Sequence, residues 1–196
     1  NWVRLPIQAA GPTRTFFAPF REDPEAMPLK TPSGRIEIFS QTVDSFGYAD
    51  CPGHPVWLPP SEWLGTATET VPLHLVSPQP GDKLHSQLEC ALADVDGARP
   101  ETLVINPQDA RARGVRAGDL VRVFNARGAC RARARVSDDI RPGVVALPTG
   151  AWVGDPGQNL DPNGNPNVLT LDVGTSSLGQ GCSAHTALVN VARLED

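Results

Sequence analysis

A polar segment at residues 77–88, SPQPGDKLHSQL, carries the side chains of this sequence that are best suited to chemistry. It follows an apolar run typical of a strand and combines hydroxyl, amide, imidazole and ammonium groups. His85, Ser86 and Gln87 can donate and accept hydrogen bonds, which suits the edge of a pterin or purine ring, and Lys83 could balance the charge of a pyrophosphate. These residue types predict a polar binding site, and an ordinary surface loop is the competing interpretation.

A second polar stretch, residues 149–184, is the longest part of the chain without a regular hydrophobic pattern. It is rich in Gly, Asn, Asp and Ser, and a loop of this length inside a compact domain is usually functional or disordered. The small residues at 176–181, SSLGQG, could offer backbone donors as one wall of a site. This composition is compatible with a polar ligand.

The cysteines and histidines give no sign of a zinc site or a disulfide framework. The cysteines lie far apart with no C-x-x-C pair, and the histidines lack the i, i+4 spacing of a helical metal site. These residues are Cys51, Cys90, Cys130, Cys182, His54, His74, His85 and His185. We interpret the thiols as buried or incidental.

Length and charge exclude several classes of protein. The chain has 196 residues, enough for one good core or for one compact domain with an extended appendage. Its formal net charge of -5 and its pI near 5.3 argue against sequence-independent nucleic-acid binding, which depends on Lys and Arg. No apolar run approaches the roughly 18 residues that a membrane span needs. We therefore expect neither a nucleic-acid partner nor a membrane span.

Six short runs rich in β-branched and apolar residues predict the strands that position these loops. They lie at residues 73–77, 102–105, 120–125, 130–136, 144–148 and 187–193. Because six short strands in an open sheet would leave exposed edges, we predict a closed barrel with a hairpin turn at residues 126–129. Asn106, Pro107 and Gly114 carry the start and stop signals of a short helix at residues 107–113.

The first 72 residues differ from the rest of the chain. They are rich in proline, and their apolar residues follow no sustained period of 3.6 or 2. Within them, residues 35–39 alternate in the manner of a strand after the turn signal at residues 31–34. We predict an extended segment that lies along the outside of the barrel.

Several short motifs share their order and spacing with one enzyme family. The sequences TPSGRIEI, FGY, CPGHP and LHSQL occur in this order between residues 31 and 88, and INPxDA, GDLV, NARG, NVLT and GTSSL follow. Together they resemble the dimethyl sulfoxide reductase family of molybdopterin enzymes, nearest the biotin sulfoxide and trimethylamine N-oxide reductase branch. The similarity covers nearly the whole chain.

The resemblance implies a mainly β fold, a six-stranded double-psi β-barrel with short helices and an extended N-terminal appendage. Residues 1–72 would be that appendage, a remnant of preceding domains, and residues 73–196 the cofactor-binding barrel. The implied cofactor in the full-length enzyme is molybdenum bis(molybdopterin guanine dinucleotide). The implied contacts are Ser77, Gln79, Lys83, His85, Ser86, Gln87, Trp152, Asn167 and Gln180.

The family's metal ligand lies in an earlier domain, so the resemblance implies no metal ligand and no catalytic residue here. For His85 a cofactor contact is favoured over a role as general base. The implied partners are the preceding domains, an electron donor protein or reductant, and a small S-oxide or N-oxide. We expect a bacterial enzyme of the cytoplasm or periplasm, with the cytoplasm favoured, and an isolated chain without activity.

Three alternative functions are compatible with parts of this sequence. A stand-alone double-psi barrel that binds or interacts with a partner is the main alternative, but it would not need the first 72 residues. The formate dehydrogenase and nitrate reductase branch shares the fold, but the segment at residues 85–87 favours the oxide reductases. An aspartic protease or decarboxylase on a related barrel lacks its nucleophile or self-cleavage motif.

Overall fold

The computed structural model of the protein describes residues 15–89, 100–155, 157–182 and 186–195. The chain divides into two compact units, Asn1–Trp57 and Leu58–Asp196. None of the helices in these described ranges has the length and apolarity needed to cross a lipid bilayer.

In the described part of the first unit, residues 15–57, lie two short helices, α1 (Ala18–Glu22) and α2 (Gln41–Asp44). The strand predicted at residues 35–39 is wrong, because this segment has no strand pairing among the described residues. Ser33 N donates to Glu37 Oε1 at 2.8 Å, a local bond that turns the chain instead. Ile36 and Ile38 are 75% and 80% exposed, so their alternation reflects no buried sheet face within this unit.

The second unit is a closed barrel that confirms the prediction of a six-stranded double-psi fold. Its strands are β1 (Leu73–Val76), β2 (Thr102–Ile105), β3 (Leu120–Phe124), β4 (Ala129–Val136), β5 (Val144–Ala146) and β6 (Thr186–Arg193). Around the barrel they follow the order β1-β5-β2-β4-β3-β6. The pairs β1/β5 and β2/β4 are parallel, and the other neighbours are antiparallel.

Alternating residues of the strands fill the barrel. In β4, Cys130 and Ala132 are fully buried, whereas Arg133 and Arg135 on the other face are exposed, as a period of two requires. The side chains with no exposed surface include Leu103, Ile105, Val121, Val123, Val145, Leu147, Leu169 and Val189. Each such aliphatic side chain stabilises the fold by about 1.5–3 kcal/mol relative to an exposed one.

Local signals set the helix and hairpin that sequence predicted. Helix α3 (Pro107–Ala112) begins after Asn106, whose Oδ1 accepts the Gln108 N–H at 2.8 Å. Between β3 and β4, Asn125 N donates to Gly128 O at 3.0 Å and closes the hairpin. A Cβ on Gly128 would lie 2.6 Å from Val168 O, so this turn requires glycine.

Residues before β1 belong to the same compact unit as the barrel. The Glu62 carboxylate accepts two bonds from the Arg127 guanidinium, at 2.6 and 2.8 Å, and one from the Leu188 N–H at 2.7 Å. Burial alone would raise the Glu62 pKa, but these donors outweigh it and hold the pKa below its ordinary value. The boundary between the two compact units therefore lies between residues 57 and 58. The division into an appendage at residues 1–72 and a barrel at residues 73–196 stays a prediction.

Candidate functional site

Parallel pairing of β1 and β5 brings two loops together at one end of the barrel. Val76 lies opposite Ala146, so both chains leave the sheet at the same edge. Leu147 N donates to Val76 O at 3.1 Å, and Thr149 N donates to Pro78 O at 3.0 Å. We name residues 77–88 the His85 loop and residues 149–170 the Asp161 loop.

The His85 loop presents its polar side chains outward. His85 and Leu88 have φ angles of 50° and 69°, in the left-handed region that few non-glycine residues adopt. Gln79 Nε2 lies 2.9 Å from His85 Nδ1, which fixes the imidazole while the side chains of Ser86 and Gln87 remain exposed. The loop can therefore offer amide, hydroxyl and imidazole groups to a ligand.

Two residues of the Asp161 loop lie against the backbone of the His85 loop. Trp152 Nε1 donates to Ser86 O at 2.9 Å, while 51% of the tryptophan surface stays exposed. Gly150 has a φ of 99°, and a Cβ there would clash with the carbonyl of His85. The close approach of the two backbones thus depends on the absence of a side chain at Gly150.

Lys83 is placed differently from its neighbours. Its side chain has no exposed surface and forms ion pairs with Glu89 and Glu101. Burial alone would lower the Lys83 pKa, but the two carboxylates outweigh burial and raise it. The structure thus directs this ammonium group into the protein, whereas Ser77 lies half-buried at the end of β1.

A buried carboxylate organises the second loop. Asp161 is 6% exposed, and its side chain accepts four backbone N–H bonds, at 2.7, 3.1, 2.8 and 3.0 Å. The donors are Gly154, Asn163, Gly164 and Asn165. Its backbone also bonds to β4 beside Cys130. One side chain therefore determines the shape of the loop that carries Trp152.

Asn167 and Gln180, predicted from separate parts of the sequence, line one groove of roughly 660 Å³. Gln180 Nε2 donates to Ser176 O at 2.8 Å, and Asn167 N donates to Asn165 Oδ1 at 2.9 Å. The groove also includes Asp172 and Cys182, and its wall is largely polar. Of the nine predicted residues, six lie in the His85 loop, where Ser77 is half-buried, Lys83 is buried and the other four are exposed. Trp152 contacts this loop, and Asn167 and Gln180 line the groove.

The thiols and histidines do not assemble into a metal centre in the described ranges. Burial and the nearby Asp161 carboxylate raise the pKa of Cys130 to about 12, so this thiol stays protonated and inert. Cys51 is half-buried and Cys182 exposed. Cys90 and His185 lie outside the described residues.

Sequence reasoning missed three residues that shape the site: Glu101, Gly150 and Asp161. Only Asp161 had a local signal, because the Asp-Pro-Asn-Gly sequence is typical of a turn in which the aspartate accepts following N–H groups. Glu101 and Gly150 lie against residues that are far away in the sequence, so no local motif predicts these contacts.

The polar groups around the loops fit a large polar ligand. Thr149 Oγ1 and Asn163 Oδ1 are buried without a hydrogen-bond partner among the described residues, a costly arrangement in a folded protein. The exposed side chains of His85, Ser86 and Gln87 supply mixed donors and acceptors for a polar ligand.

The closed barrel with polar loops at one end defines a ligand-binding double-psi barrel domain. Residues 73–188 match the family described as the molydopterin dinucleotide binding domain, and the chain belongs to this family. An acetylene hydratase from Pelobacter acetylenicus superposes with a TM-score of 0.70 over 88% of this chain and 25% of its own, at 19% identity. That likeness supports the fold.

Curated relatives confirm the resemblance to the dimethyl sulfoxide reductase family. The chain is 52% identical over 181 residues to biotin sulfoxide reductase of Cereibacter sphaeroides, covering 90% of this chain and 24% of that protein. It is 50% identical over 184 residues to trimethylamine-N-oxide reductase 1 of Escherichia coli K12, covering 89% and 22%. For a dimethyl sulfoxide/trimethylamine N-oxide reductase of C. sphaeroides the identity is 46%, covering 97% and 24%. The chain thus spans about a quarter of the length of these relatives.

Proposed function

We propose that this chain is the dinucleotide-binding barrel of a bacterial molybdenum oxidoreductase that reduces S-oxides or N-oxides. The observation that carries the proposal is the His85 loop, whose exposed imidazole, hydroxyl and amide groups are held at one end of a barrel of the molydopterin dinucleotide binding family. The relatives named for biotin sulfoxide, trimethylamine N-oxide and dimethyl sulfoxide supply the substrate class.

In this proposal the molybdenum bis(molybdopterin guanine dinucleotide) cofactor supplies the redox chemistry, and the chain supplies binding and orientation. Gln79, His85, Ser86 and Gln87 would hold one dinucleotide through hydrogen bonds. Asn167 and Gln180 would contribute from the groove that they line. The exposed face of Trp152 would cover the bound group and exclude water.

We assign the metal ligand and the substrate cavity to other domains of a longer polypeptide. The first unit offers a surface for such domains, since Phe16, Ile38 and Trp57 are 85%, 80% and 79% exposed. In this proposal, such domains would cover these exposed apolar side chains. The remaining proposed partners are a small oxide substrate and an electron donor, in the cytoplasm or the periplasm.

A domain exchange tests the proposal. The matched region of the C. sphaeroides biotin sulfoxide reductase would be replaced by this chain, and the purified hybrid assayed for molybdenum, for released GMP, and for oxidation of reduced viologen by biotin sulfoxide. We expect near-stoichiometric cofactor and measurable turnover. A folded hybrid without GMP would contradict the proposal and favour a barrel that binds another partner.

The chain alone is expected to be inactive. A cofactor held between domains needs contacts from each of them, and the entropy lost on ordering a large dinucleotide is not offset by one face of the cavity. After incubation with the cofactor and gel filtration, we expect the 196-residue chain to carry no molybdenum. We also expect it not to catalyse the oxidation of reduced viologen. Stoichiometric molybdenum with turnover would overturn the assignment of the metal ligand to another domain.

A further inference from the structure

Glu101 contacts both loops of the proposed site and strand β4, through three different groups. Its carboxylate forms the ion pair with Lys83 of the His85 loop. Its backbone N–H donates to Asn163 O of the Asp161 loop at 3.0 Å, and its carbonyl accepts the Arg133 N–H of β4 at 2.8 Å. This residue lies immediately before β2, on the wall of the barrel.

In both ion pairs of Lys83, the ammonium group and its carboxylate partner lie on largely buried side chains. The Lys83 side chain is 0% exposed, and those of Glu89 and Glu101 are 9% and 11% exposed. Because a buried ammonium group is tolerated only when it is paired, withdrawing Lys83 toward a phosphate would leave two buried carboxylates without compensation. The geometry therefore opposes a direct phosphate contact by Lys83.

The Asp161 loop is packed equally closely on Glu101. A Cβ on Gly164 would lie 3.0 Å from both the backbone nitrogen and the Cβ of Glu101. Gly164 also has a φ of 82° and donates its N–H to Asp161. A displacement of Glu101 is therefore transmitted to both loops.

We infer that Glu101 is a positioning residue, which through Lys83 holds the His85 loop in register with the Asp161 loop and so sets the spacing of the two halves of the ligand site. Lys83 is the anchor of its loop and does not contact the phosphate. The inference deepens the proposed function and rests on it for the identity of the ligand. The coupling of the loops can be measured without any ligand.

The test compares Glu101→Gln with Glu69→Gln, an exposed site with the same change of charge. In the 15N-labelled chain, the Trp152 indole N–H, which donates to Ser86 O, reports the contact between the loops. We expect Glu101→Gln to accelerate hydrogen exchange of this proton by about tenfold or more, and Glu69→Gln to leave it unchanged. Unchanged exchange in Glu101→Gln would overturn the inference.

GDP serves as the ligand probe, and its binding is measured on the hybrid reductase freed of its cofactor, because the chain alone offers only one face of the cavity. If Glu101 positions the loops, Glu101→Gln should weaken the affinity of this hybrid for GDP by about fivefold or more. If Lys83 were instead a phosphate ligand, Glu101→Gln would release it, and GDP would bind more tightly with a steeper salt dependence, which would overturn the inference. Accelerated exchange in the chain, with no GDP binding to any folded variant of the hybrid, would support the positioning role and contradict the dinucleotide proposal.

Should Glu101→Gln fail to fold by circular dichroism, Glu101→Asp replaces it. The shorter side chain keeps the charge but withdraws the carboxylate from Lys83. We expect an intermediate acceleration of Trp152 exchange, and exchange equal to that of the unsubstituted chain would overturn the inference. Lys83→Arg, which preserves the charge, should retain most of the protection.

Discussion

The two loops of the proposed site are held in opposite ways. The Asp161 loop is held by hydrogen bonds within itself, since one buried carboxylate accepts four backbone N–H bonds. The His85 loop is held by contacts with other segments, through its buried Lys83 and through Gly150 and Trp152, whereas its His85, Ser86 and Gln87 side chains are exposed. We propose that the Asp161 carboxylate is a support and that the exposed side chains of the His85 loop are a binding surface, so substitutions in the two should separate stability from ligand binding.

Removing the Asp161 carboxylate should have the largest effect on stability. Asp161→Ala leaves four N–H donors without an acceptor, on the buried residues Gly164 and Asn165 and the half-buried Gly154 and Asn163, and we expect a loss of about 4 kcal/mol in the free energy of unfolding. Denaturant unfolding of the two chains measures this difference.

Asp161→Asn is the matched variant. Its amide oxygen can still accept the three bonds made at Oδ1, while the amide nitrogen faces the Gly154 N–H. The expected loss is roughly 1–2 kcal/mol. Equal losses in the two variants would show that the charge, and not the hydrogen bonds, stabilises the loop.

A methyl group at Gly150 should have the next largest effect. Its φ of 99° disfavours any L side chain, and the new Cβ would force the His85 peptide away. We expect Gly150→Ala to cost about 2–3 kcal/mol and to weaken ligand binding.

The control lies in the other loop. A Cβ on Gly81 would meet nothing within 4 Å, so Gly81→Ala should change stability by less than about 0.5 kcal/mol. A comparable loss in both variants, measured by thermal unfolding, would contradict the close packing of the loops.

The ion pair that joins Glu62 to Arg127 predicts a pH dependence. Because the folded pKa of Glu62 lies below its ordinary value near 4.5, the stabilisation is complete above that pH and is lost as the pH falls through the folded pKa. Glu62→Gln should therefore cost about 1–2 kcal/mol at pH 7, and this cost should decrease as the pH falls from 7 toward 3. Glu69→Gln should show no such difference between the two pH values, and a pH-independent cost of Glu62→Gln would refute the electrostatic origin.

Sequence was sufficient where the signals are local. Alternating apolar residues placed the six barrel strands, and Asn106 with Pro107 placed α3, because each depends on neighbouring residues. The strand expected at residues 35–39 failed because a strand also needs a partner, which its pattern cannot supply. Similarly, Glu101 lies 18 residues from Lys83, and only the closed barrel brings them together.

The predicted site residues also show that sequence alone does not reveal tertiary contacts. The motif around His85 was recognisable as a polar loop, but whether a side chain points outward or inward depends on tertiary contacts. Lys83 and His85 are two residues apart and chemically plausible as ligands, yet the structure buries the first and exposes the second. Burial could not be inferred from their residue types.

The central claim is that the exposed side chains of His85, Ser86 and Gln87 bind the dinucleotide, take no part in the chemistry and contribute little to the stability of the fold. In the hybrid reductase, the combined His85→Ala, Ser86→Ala and Gln87→Ala variant should lose most of its released GMP and molybdenum. Its unfolding temperature should stay within about 2 °C, since these side chains are exposed. Gln108→Ala, on the exposed side of α3, is the control. Full GMP and molybdenum content with lost turnover would contradict the claim and point to an acid-base role for His85.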